Sequence, residues 1–312
     1  MHRRAFLSAL AIAACSGCTS KSALTVGSKN FTEQLILGEL LKQYLQGVCR
    51  MPVDGRFYLA GTYICQQAIL AGRIDTYVEY TGTAVAAILK QPFSGDSNAV
   101  YDLVKSEYKR RFDLDVMPPL GFNNSFAMVM RGEQARRLGV TKLSQLAPFT
   151  PQMRLGVGYE FLERQDGYRG LIATYDLRFA EAPRVMDLGL LYRALQNNSV
   201  DIVAGNNTDG LIAALHLVVL EDDKHYFPPY DAVPIVRPAL FQKCPAARAA
   251  LENLSGVITA DDMRTMNYEV DGEKKDAGAV AEDFLARHRI PNVEHVAALA
   301  ANNSCGLVRN VV

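Results

Sequence analysis

From Leu24 onward, short apolar segments alternate with longer segments in which apolar residues recur at helical spacing. The first pair is the segment 24–27 and, after it, a helical face formed by Leu37, Leu40, Leu41, Tyr44 and Leu45. Such alternation is typical of an α/β fold with largely parallel sheets. With 312 residues, of which 49% are hydrophobic, the chain is long enough to form two domains.

The turn between this first strand and helix is a candidate ligand site. Asn30, followed three residues later by Glu33, resembles a capping box at a helix start. Unpaired amides and the positive end of the helix dipole gather at such a turn, and open α/β sheets bind ligands at the carboxyl ends of their strands. Lys29 lies in this turn and is a candidate to hold an anionic group. The alternative is that Lys29 is only solvated.

One segment of the chain recurs in its second half. Residues 68–75 (AILAGRID) are echoed by residues 194–201 (ALQNNSVD), and each segment precedes a polar loop that contains threonine, at 80–83 and 206–210. The recurrence predicts two similar lobes whose loops face each other across a cleft, where small-molecule sites tend to lie. Chance similarity over so short a segment is the alternative.

The first 23 residues have the layout of an export signal. His2, Arg3 and Arg4 precede an apolar stretch from Ala5 to Ala14. The paired arginines leave both the twin-arginine route and the general export route open. We therefore expect an exported protein, periplasmic or otherwise extracytoplasmic.

Small residues surround Cys15 at the end of this leader. The segment 12–15 (IAAC) resembles a bacterial lipoprotein processing box, in which Cys15 becomes the acylated first residue of the mature protein. Cys18 is a second candidate, and cleavage without lipid is the alternative. No other apolar run approaches the roughly 20 residues needed to span a bilayer, so a lipid anchor is the only membrane attachment expected.

The other four cysteines form an even set that can pair outside the cytoplasm: Cys49, Cys65, Cys244 and Cys305. We favour a bond between Cys49 and Cys65, which would join the end of one helix to the next and leave Cys244 with Cys305. Free buried thiols are the alternative. Neither the cysteines nor the five histidines have the close spacing of metal ligands, so we expect no metal cluster and no cofactor.

The charge balance and the missing catalytic motifs narrow the function. Basic and acidic residues both total 33, which does not favour nucleic acid as a partner. The sequence contains no GxSxG elbow, no HExxH motif, no P-loop and no complete dinucleotide fingerprint. Asp75, Asp201 and Asp209 are conceivable acids or bases, but acidic residues at such turns more often cap the backbone. We therefore expect a small-molecule binding protein, with an enzyme that uses the same cleft as the alternative.

Several motifs occur in an order that resembles one family, the glycine betaine, carnitine and choline binding proteins of osmoprotectant ABC importers. They are GSKNFTE at 27–33, EYTGT at 79–83, GFNN at 121–124 and TDG at 208–210. Further similar segments are EF at 160–161 with Arg164 and DG at 166–167, LYRAL at 191–195, LEDDK at 220–224 and FPPY at 227–230. The resemblance covers nearly all of the mature chain.

The resemblance implies a type II periplasmic-binding fold, in which two α/β lobes are joined by two crossover segments and the ligand cleft lies between them. The crossovers are expected near Pro118–Gly121 and Lys224–Pro229. Residues 1–23 would then form the signal and tether, residues 24–120 plus 228–312 lobe one, and residues 121–227 lobe two. Closure of a monomer would create the shape that a membrane permease, driven by its cytoplasmic ATPase, recognises.

The resemblance also implies a trimethylammonium ligand and a set of site residues. A trimethylammonium group donates no conventional hydrogen bonds, and each well-placed aromatic face contributes about 1 to 2 kcal/mol to its binding. By resemblance, Tyr80 and Tyr192 would be cage rings, and Asn124 would line the cleft. Lys29 and Arg164, together with Thr83, would hold the anionic or polar tail of the ligand.

Two positions depart from the family pattern. Phe126 stands where many relatives have tyrosine, and Asn206 stands where many have another tyrosine. Phenylalanine keeps the aromatic face, whereas asparagine offers an amide donor and acceptor in place of a ring. The departures predict either a reduced affinity for glycine betaine or a larger betaine as the solute, such as ergothioneine.

Overall fold

The computed structural model describes residues 24–92, 95–288 and 290. The leader, with the proposed lipidation site Cys15, and Cys305 lie outside the described residues. Among the described residues, no helix combines the length and apolar character that crossing a membrane would require.

The strands form two five-stranded sheets with the orders β2-β1-β3-β10-β4 and β7-β6-β8-β5-β9. In each sheet one strand, β10 or β5, runs antiparallel to both of its neighbours, and β1 and β6 pair in parallel with the strands on either side. The strands are β1 Leu24–Gly27, β2 Val53–Arg56, β3 Thr76–Tyr80, β4 Asp115–Val116, β5 Phe126–Arg131, β6 Leu155–Val157, β7 Arg184–Val185, β8 Ile202–Asn206, β9 Leu217–Val219 and β10 Ala232–Val236.

Helices cover both faces of each sheet, as expected where a sheet is buried on both sides. The α-helices are α1 Thr32–Cys49, α2 Thr62–Leu70, α3 Thr81–Thr83, α4 Ser97–Phe112, α5 Gly132–Leu138, α6 Tyr159–Glu163, α7 Tyr168–Tyr175, α8 Leu191–Gln196, α9 Leu211–Ala214, α10 Pro238–Lys243, α11 Ala246–Asn253, α12 Ala260–Asp271 and α13 Ala277–Arg287. A π-helix follows α3 at Ala84–Leu89, and 3-10 turns lie at Leu143–Gln145, Thr150–Gln152 and Leu188–Leu190.

Each sheet is the centre of one lobe, which we call the first and the second lobe in chain order. The chain leaves the first sheet after Val116, enters the second at Phe126, and returns between Val219 and Ala232. The two connections run side by side, because Asn123 and Asp231 form an antiparallel bridge. The expected crossovers fall within these connections, while the lobe boundaries at 120/121 and 227/228 stay a prediction.

The first helix organises the core of the first lobe. Its predicted apolar face is buried, and α1 packs against β1, α11, α12 and α13. The other face of the same sheet is covered by a separate apolar cluster that includes Tyr77 and residues of α2 and α4. The second lobe likewise has one apolar cluster on each face of its sheet.

The predicted disulfide pairing is wrong. Cys49, the last residue of α1, is bonded to Cys244, which follows α10, with their Cα atoms 5.7 Å apart. Cys244 is therefore not available to Cys305. Within the described part of the chain Cys65 has no disulfide partner, and burial raises the pKa of this thiol to about 12.

The physical reason for this error is the side of the sheet on which each cysteine lies. Cys244 belongs to the apolar cluster around α1, with Cys49 packed against it, whereas Cys65 lies in the cluster on the opposite face. Nearness in sequence suggested the pair of residues 49 and 65, but the sheet separates them.

Candidate functional site

A cavity of about 570 Å³ lies between the lobes. We call it the main cavity. Lys29 follows β1, Tyr80 ends β3 and Asn206 ends β8, so the cavity lies at the carboxyl ends of parallel strands from both sheets. Of the eight predicted ligand residues, seven line it: Lys29, Tyr80, Thr83, Asn124, Phe126, Arg164 and Asn206.

Lys29 is 3% exposed and already has a charged partner. Its ammonium group forms an ion pair with the buried Glu79 and lies 4.8 Å from the centre of the Tyr80 ring. The pair with Glu79 neutralises most of the charge that Lys29 would offer to a ligand, because a desolvated ion pair acts outward mainly as a dipole.

Arg164 is also paired. Its Nε donates to Asp166 Oδ1 at 2.9 Å, its Nη2 donates to Asp166 Oδ2, and its Nη1 donates to Thr83 Oγ1 at 3.0 Å. The hydroxyl of Tyr230 donates to the same Asp166 at 2.5 Å. The structure therefore joins Arg164 of the second lobe to Thr83 of the first, as part of a closed polar network.

Aromatic rings line much of the main cavity. Phe126 lies 5.7 Å from Tyr230 and 4.7 Å from the Arg164 guanidinium, and Phe31 stacks on Tyr80 at 6.4 Å between ring centres. Five aromatic residues that line the cavity were not among the predicted ligand residues: Phe31, Tyr63, Tyr159, Phe161 and Tyr230.

Three of these five residues lie in segments that carried the family resemblance: Phe31 in 27–33, Phe161 in 160–161 and Tyr230 in 227–230. Tyr230 stands two residues before Ala232, which pairs with Tyr80 across β10 and β3. This places the Tyr230 ring at the same edge of the sheet as Tyr80, but the pairing of β10 with β3 is not visible in the sequence.

The structure does not bring Tyr192 to the main cavity. This side chain is buried under Gly205, where a Cβ would collide with its hydroxyl, and that hydroxyl donates to Asp209. Tyr192 instead lines a second cavity of about 260 Å³, which Asn206 also lines. Tyr80, Phe126 and Asn206 therefore line the main cavity together, whereas Tyr192, the second expected cage ring, does not.

Glu33 has a role that its sequence position did not indicate. The N-cap of α1 is Phe31, without a side-chain cap, so the predicted capping box does not form. Glu33 is 2% exposed and accepts four hydrogen bonds: from Tyr80 Oη, Asn124 Nδ2 and Thr208 Oγ1 at 2.6 Å each, and from Asn267 Nδ2 at 3.2 Å. Burial raises the pKa of this carboxyl, and the four donors only partly offset that effect.

The lobes touch at further points around the cavities. Asn267 Nδ2 donates to the carbonyl oxygen of Thr208 at 2.9 Å, and Gly210 lies directly against the backbone of Tyr268. Gly61, at the start of α2, faces the carboxylate of Glu160. The described arrangement is therefore a closed one, in which polar contacts from both lobes surround the cleft.

Among the described residues, no group of three or more His, Cys, Asp and Glu side chains is arranged to hold a metal ion. The main cavity is lined instead by aromatic faces, by two cations that are each paired with a carboxylate, by a few amides and by the acidic residues Glu160 and Asp187. Such a surface can desolvate and hold a small organic cation, because ring faces attract a cation that donates no hydrogen bonds.

Comparisons with known proteins identify the family. The family described as the substrate binding domain of ABC-type glycine betaine transport systems matches residues 22–287. The carnitine transport binding protein OpuCC of Listeria monocytogenes is 31% identical over 287 residues, which cover 90% of this chain and 93% of that protein. The ergothioneine transport permease/ergothioneine binding protein EgtU of Helicobacter pylori is 34% identical over 265 residues, or 85% of this chain and 47% of that protein.

The fold is confirmed by a solved structure. A crystal structure of a glycine betaine/carnitine/choline ABC transporter matches with a TM-score of 0.71 at 30% identity, covering 86% of this chain and 99% of that one. The predicted two-lobed α/β architecture and the predicted resemblance are both confirmed. The chain belongs to the family of substrate-binding domains of ABC-type glycine betaine transport systems.

Proposed function

We propose that this protein binds a quaternary ammonium compound in the main cavity and delivers it to the permease of an ABC importer. Substrate-binding proteins of such importers are extracytoplasmic and work with a membrane permease. The solutes that the proposal covers are glycine betaine, choline, carnitine and related betaines.

The observation that carries the proposal is the combination of rings and paired charges in the main cavity. Tyr80, Phe126 and Tyr230 line the cavity, while Lys29 and Arg164 are each held by a carboxylate. An organic cation therefore meets aromatic faces without a free competing cation among these residues. Each such face contributes about 1 to 2 kcal/mol when it replaces the water around the cation.

A larger betaine such as ergothioneine is the second candidate solute. Asn206 favours it, because this residue lines both cavities and its side-chain amide has no hydrogen-bond partner within the described part of the chain. An amide that faces a cavity suits a ligand with hydrogen-bonding groups. The similarity to the Helicobacter pylori protein supports the same candidate.

We expect the whole protein to be a monomer that is tethered to the membrane by a lipid on Cys15. Lobe one is expected to comprise residues 24–120 plus 228–312, and lobe two residues 121–227. We expect no catalysis, since the relatives are transport binding proteins. Recovery of a bound betaine in unchanged form would separate a receptor from an enzyme.

Calorimetric titration with glycine betaine, choline, carnitine and ergothioneine tests the proposal. The variant Phe126→Leu removes a cavity ring but keeps an apolar side chain, and we expect it to weaken binding about five- to thirtyfold. Phe112→Leu is the matched control, because Phe112 packs on Tyr108 in the core of the first lobe, away from the cavities. Failure of every quaternary ammonium compound to bind would contradict the proposal.

A further inference from the structure

The second cavity adjoins the main cavity. Its volume is about 260 Å³, several times the roughly 30 Å³ that one water occupies in the liquid. The two cavities share four lining residues: Asn30, Phe31, Leu188 and Asn206. Its walls come from both lobes, with Thr32 and Asp271 on one side and Tyr192 and Asp209 on the other. It therefore continues the same interlobe cleft.

One carboxylate of this cavity has an unused acceptor. Asp209 Oδ2 accepts hydrogen bonds from the Tyr192 hydroxyl and, at 2.9 Å, from the backbone N–H of Asn206. No group within residues 24–92, 95–288 and 290 donates to the other oxygen, Oδ1, and Asp209 lines the cavity. Burial raises the pKa of Asp209 to about 7, and the hydrogen bonds from Tyr192 and the backbone of Asn206 only partly offset that effect.

The surroundings of Asp209 select the kind of group that would complete it. Tyr192 and Phe31 offer aromatic surface, and a second carboxylate, Asp271, lines the same cavity. The negative charges of Glu33 and Asp271 further raise the pKa of Asp209.

The basic residues of this cavity, Arg193 and Lys274, are exposed, and the Lys274 ammonium donates to the carbonyl oxygen of Asp271. A ligand group with an N–H donor and an apolar ring suits Asp209 and the aromatic surface beside it, whereas an anion would be repelled by the two carboxylates.

We propose that the second cavity is a subsite for a nitrogen-bearing ring or amine at the far end of the solute, which donates an N–H hydrogen bond to Asp209 Oδ1. The inference rests on the proposed function, because the quaternary ammonium group of the same solute occupies the main cavity. Asn206, which lines both cavities, contacts the part of the solute that passes between them. The preferred solute is therefore an extended betaine with an N–H donor, and glycine betaine fills only the main cavity.

Two matched ligands test the subsite. Nα,Nα,Nα-trimethyl-L-histidine and Nα,Nα,Nα-trimethyl-L-phenylalanine carry the same ammonium and carboxylate groups and a ring at the same position, but only the first has a ring N–H. We expect the wild-type protein to bind the histidine derivative about tenfold or more tightly, as the gain of one hydrogen bond to a charged acceptor predicts. This comparison needs no variant, so it is decisive even if a substitution prevents folding.

The variant Asp209→Asn locates the effect. Its amide oxygen can still accept from Tyr192 and Asn206, as Oδ2 does, but an NH₂ donor then replaces the acceptor Oδ1. We expect about a tenfold loss of affinity for the histidine derivative and little change for the phenylalanine derivative. Asp176→Asn, which removes an exposed carboxylate at the end of α7, is the control and should change neither affinity.

The outcomes separate the subsite from the proposed function. Equal affinities of the wild type for the two derivatives, or an equal effect of Asp209→Asn on both, would overturn the subsite. Binding of glycine betaine without binding of either derivative would also overturn it, while leaving the proposed function intact. If none of the three compounds binds, the proposed function is contradicted and the subsite with it.

Discussion

Thr208 Oγ1 donates a hydrogen bond to Glu33 Oε2 at 2.6 Å and so joins the second lobe to the first. The other oxygen of Glu33 accepts from Tyr80 and Asn124, which both line the main cavity. One buried carboxylate thus connects the walls of the cavity to a contact that exists only when the lobes meet. A ligand that orders Tyr80 and Asn124 would also hold the Glu33 carboxylate in place, and Thr208 of the second lobe donates to this carboxylate when the lobes are closed.

The first prediction concerns the variant Glu33→Gln. An amide keeps the size of the side chain but replaces one acceptor oxygen with a donor, so two of the four hydrogen bonds to Glu33 lose their acceptor. We expect about a tenfold or greater loss of solute affinity. Scattering of the liganded variant should show a larger radius than the wild type, because closure is impaired. Glu39→Gln, on the same helix but paired with Lys42, is the control, and unchanged affinity in Glu33→Gln would contradict the role.

The second prediction concerns pH. Burial raises the pKa of Asp209 to about 7, well above the usual range of aspartate. A carboxyl whose pKa is raised by folding is protonated more readily in the folded state, so the folded state loses stability as pH rises from about 4 to about 7. The contribution is on the order of 4 kcal/mol at most.

Thermal unfolding across this pH range measures the effect. We expect the unfolding midpoint of Asp209→Asn to depend less steeply on pH than that of the wild type. Asp223→Asn is the control, because Asp223 is only partly buried and its pKa is lowered, not raised, by hydrogen bonds from Ser144. Parallel pH profiles for the wild type and Asp209→Asn would refute the prediction.

The third prediction uses the close approach at Gly210. A Cβ at this position would lie 2.6 Å from the Cα atom of Tyr268, and backbone in α12 cannot move aside cheaply. Because Gly210 and Tyr268 belong to different lobes, Gly210→Ala should hinder closure while each lobe keeps its own core. We expect a loss of affinity of at least about tenfold with a nearly unchanged unfolding midpoint. Gly95→Ala, where a Cβ meets open space, should leave both unchanged.

Much of the architecture could be predicted from the sequence, because it follows from local periodicity. The apolar face of α1 and the repeat of residues 68–75 at 194–201 are local signals, and each repeat leads into a strand that ends at the cleft. Of the seven predicted residues that line the main cavity, Lys29 follows β1, and Tyr80 and Asn206 end β3 and β8. The other four were expected from the family resemblance and lie elsewhere: Phe126 begins β5, Asn124 precedes it, Thr83 lies in α3 and Arg164 follows α6. Strand ends on one sheet edge are brought together by any fold of this class.

The parts that could not be predicted depend on packing between distant segments. Tyr192 turns away from the main cavity because its hydroxyl fits into the space left by the missing side chain of Gly205. Glu33 is held by hydrogen bonds from donors at residues 80, 124, 208 and 267. No local pattern reports such contacts. The spacing between Asn30 and Glu33 is that of a capping box, which is why Glu33 was expected to cap α1. The carboxylate is buried instead, and its hydrogen bonds come from side chains of distant segments, not from the start of the helix.

The fourth prediction concerns the bond between Cys49 and Cys244, which ties the end of α1 to the segment after α10 across 195 residues of sequence. A bond that closes so long a loop restricts the unfolded chain strongly, so replacing both cysteines with alanine should lower the free energy of unfolding by about 3 to 5 kcal/mol. Denaturant titration measures this loss, and Cys65→Ala is the control that keeps the bond. Solute affinity should change little, because neither cysteine lines a cavity within the described part of the chain. Recovery of a peptide that links residues 49 and 65 from a non-reduced digest would contradict the pairing on which the prediction depends.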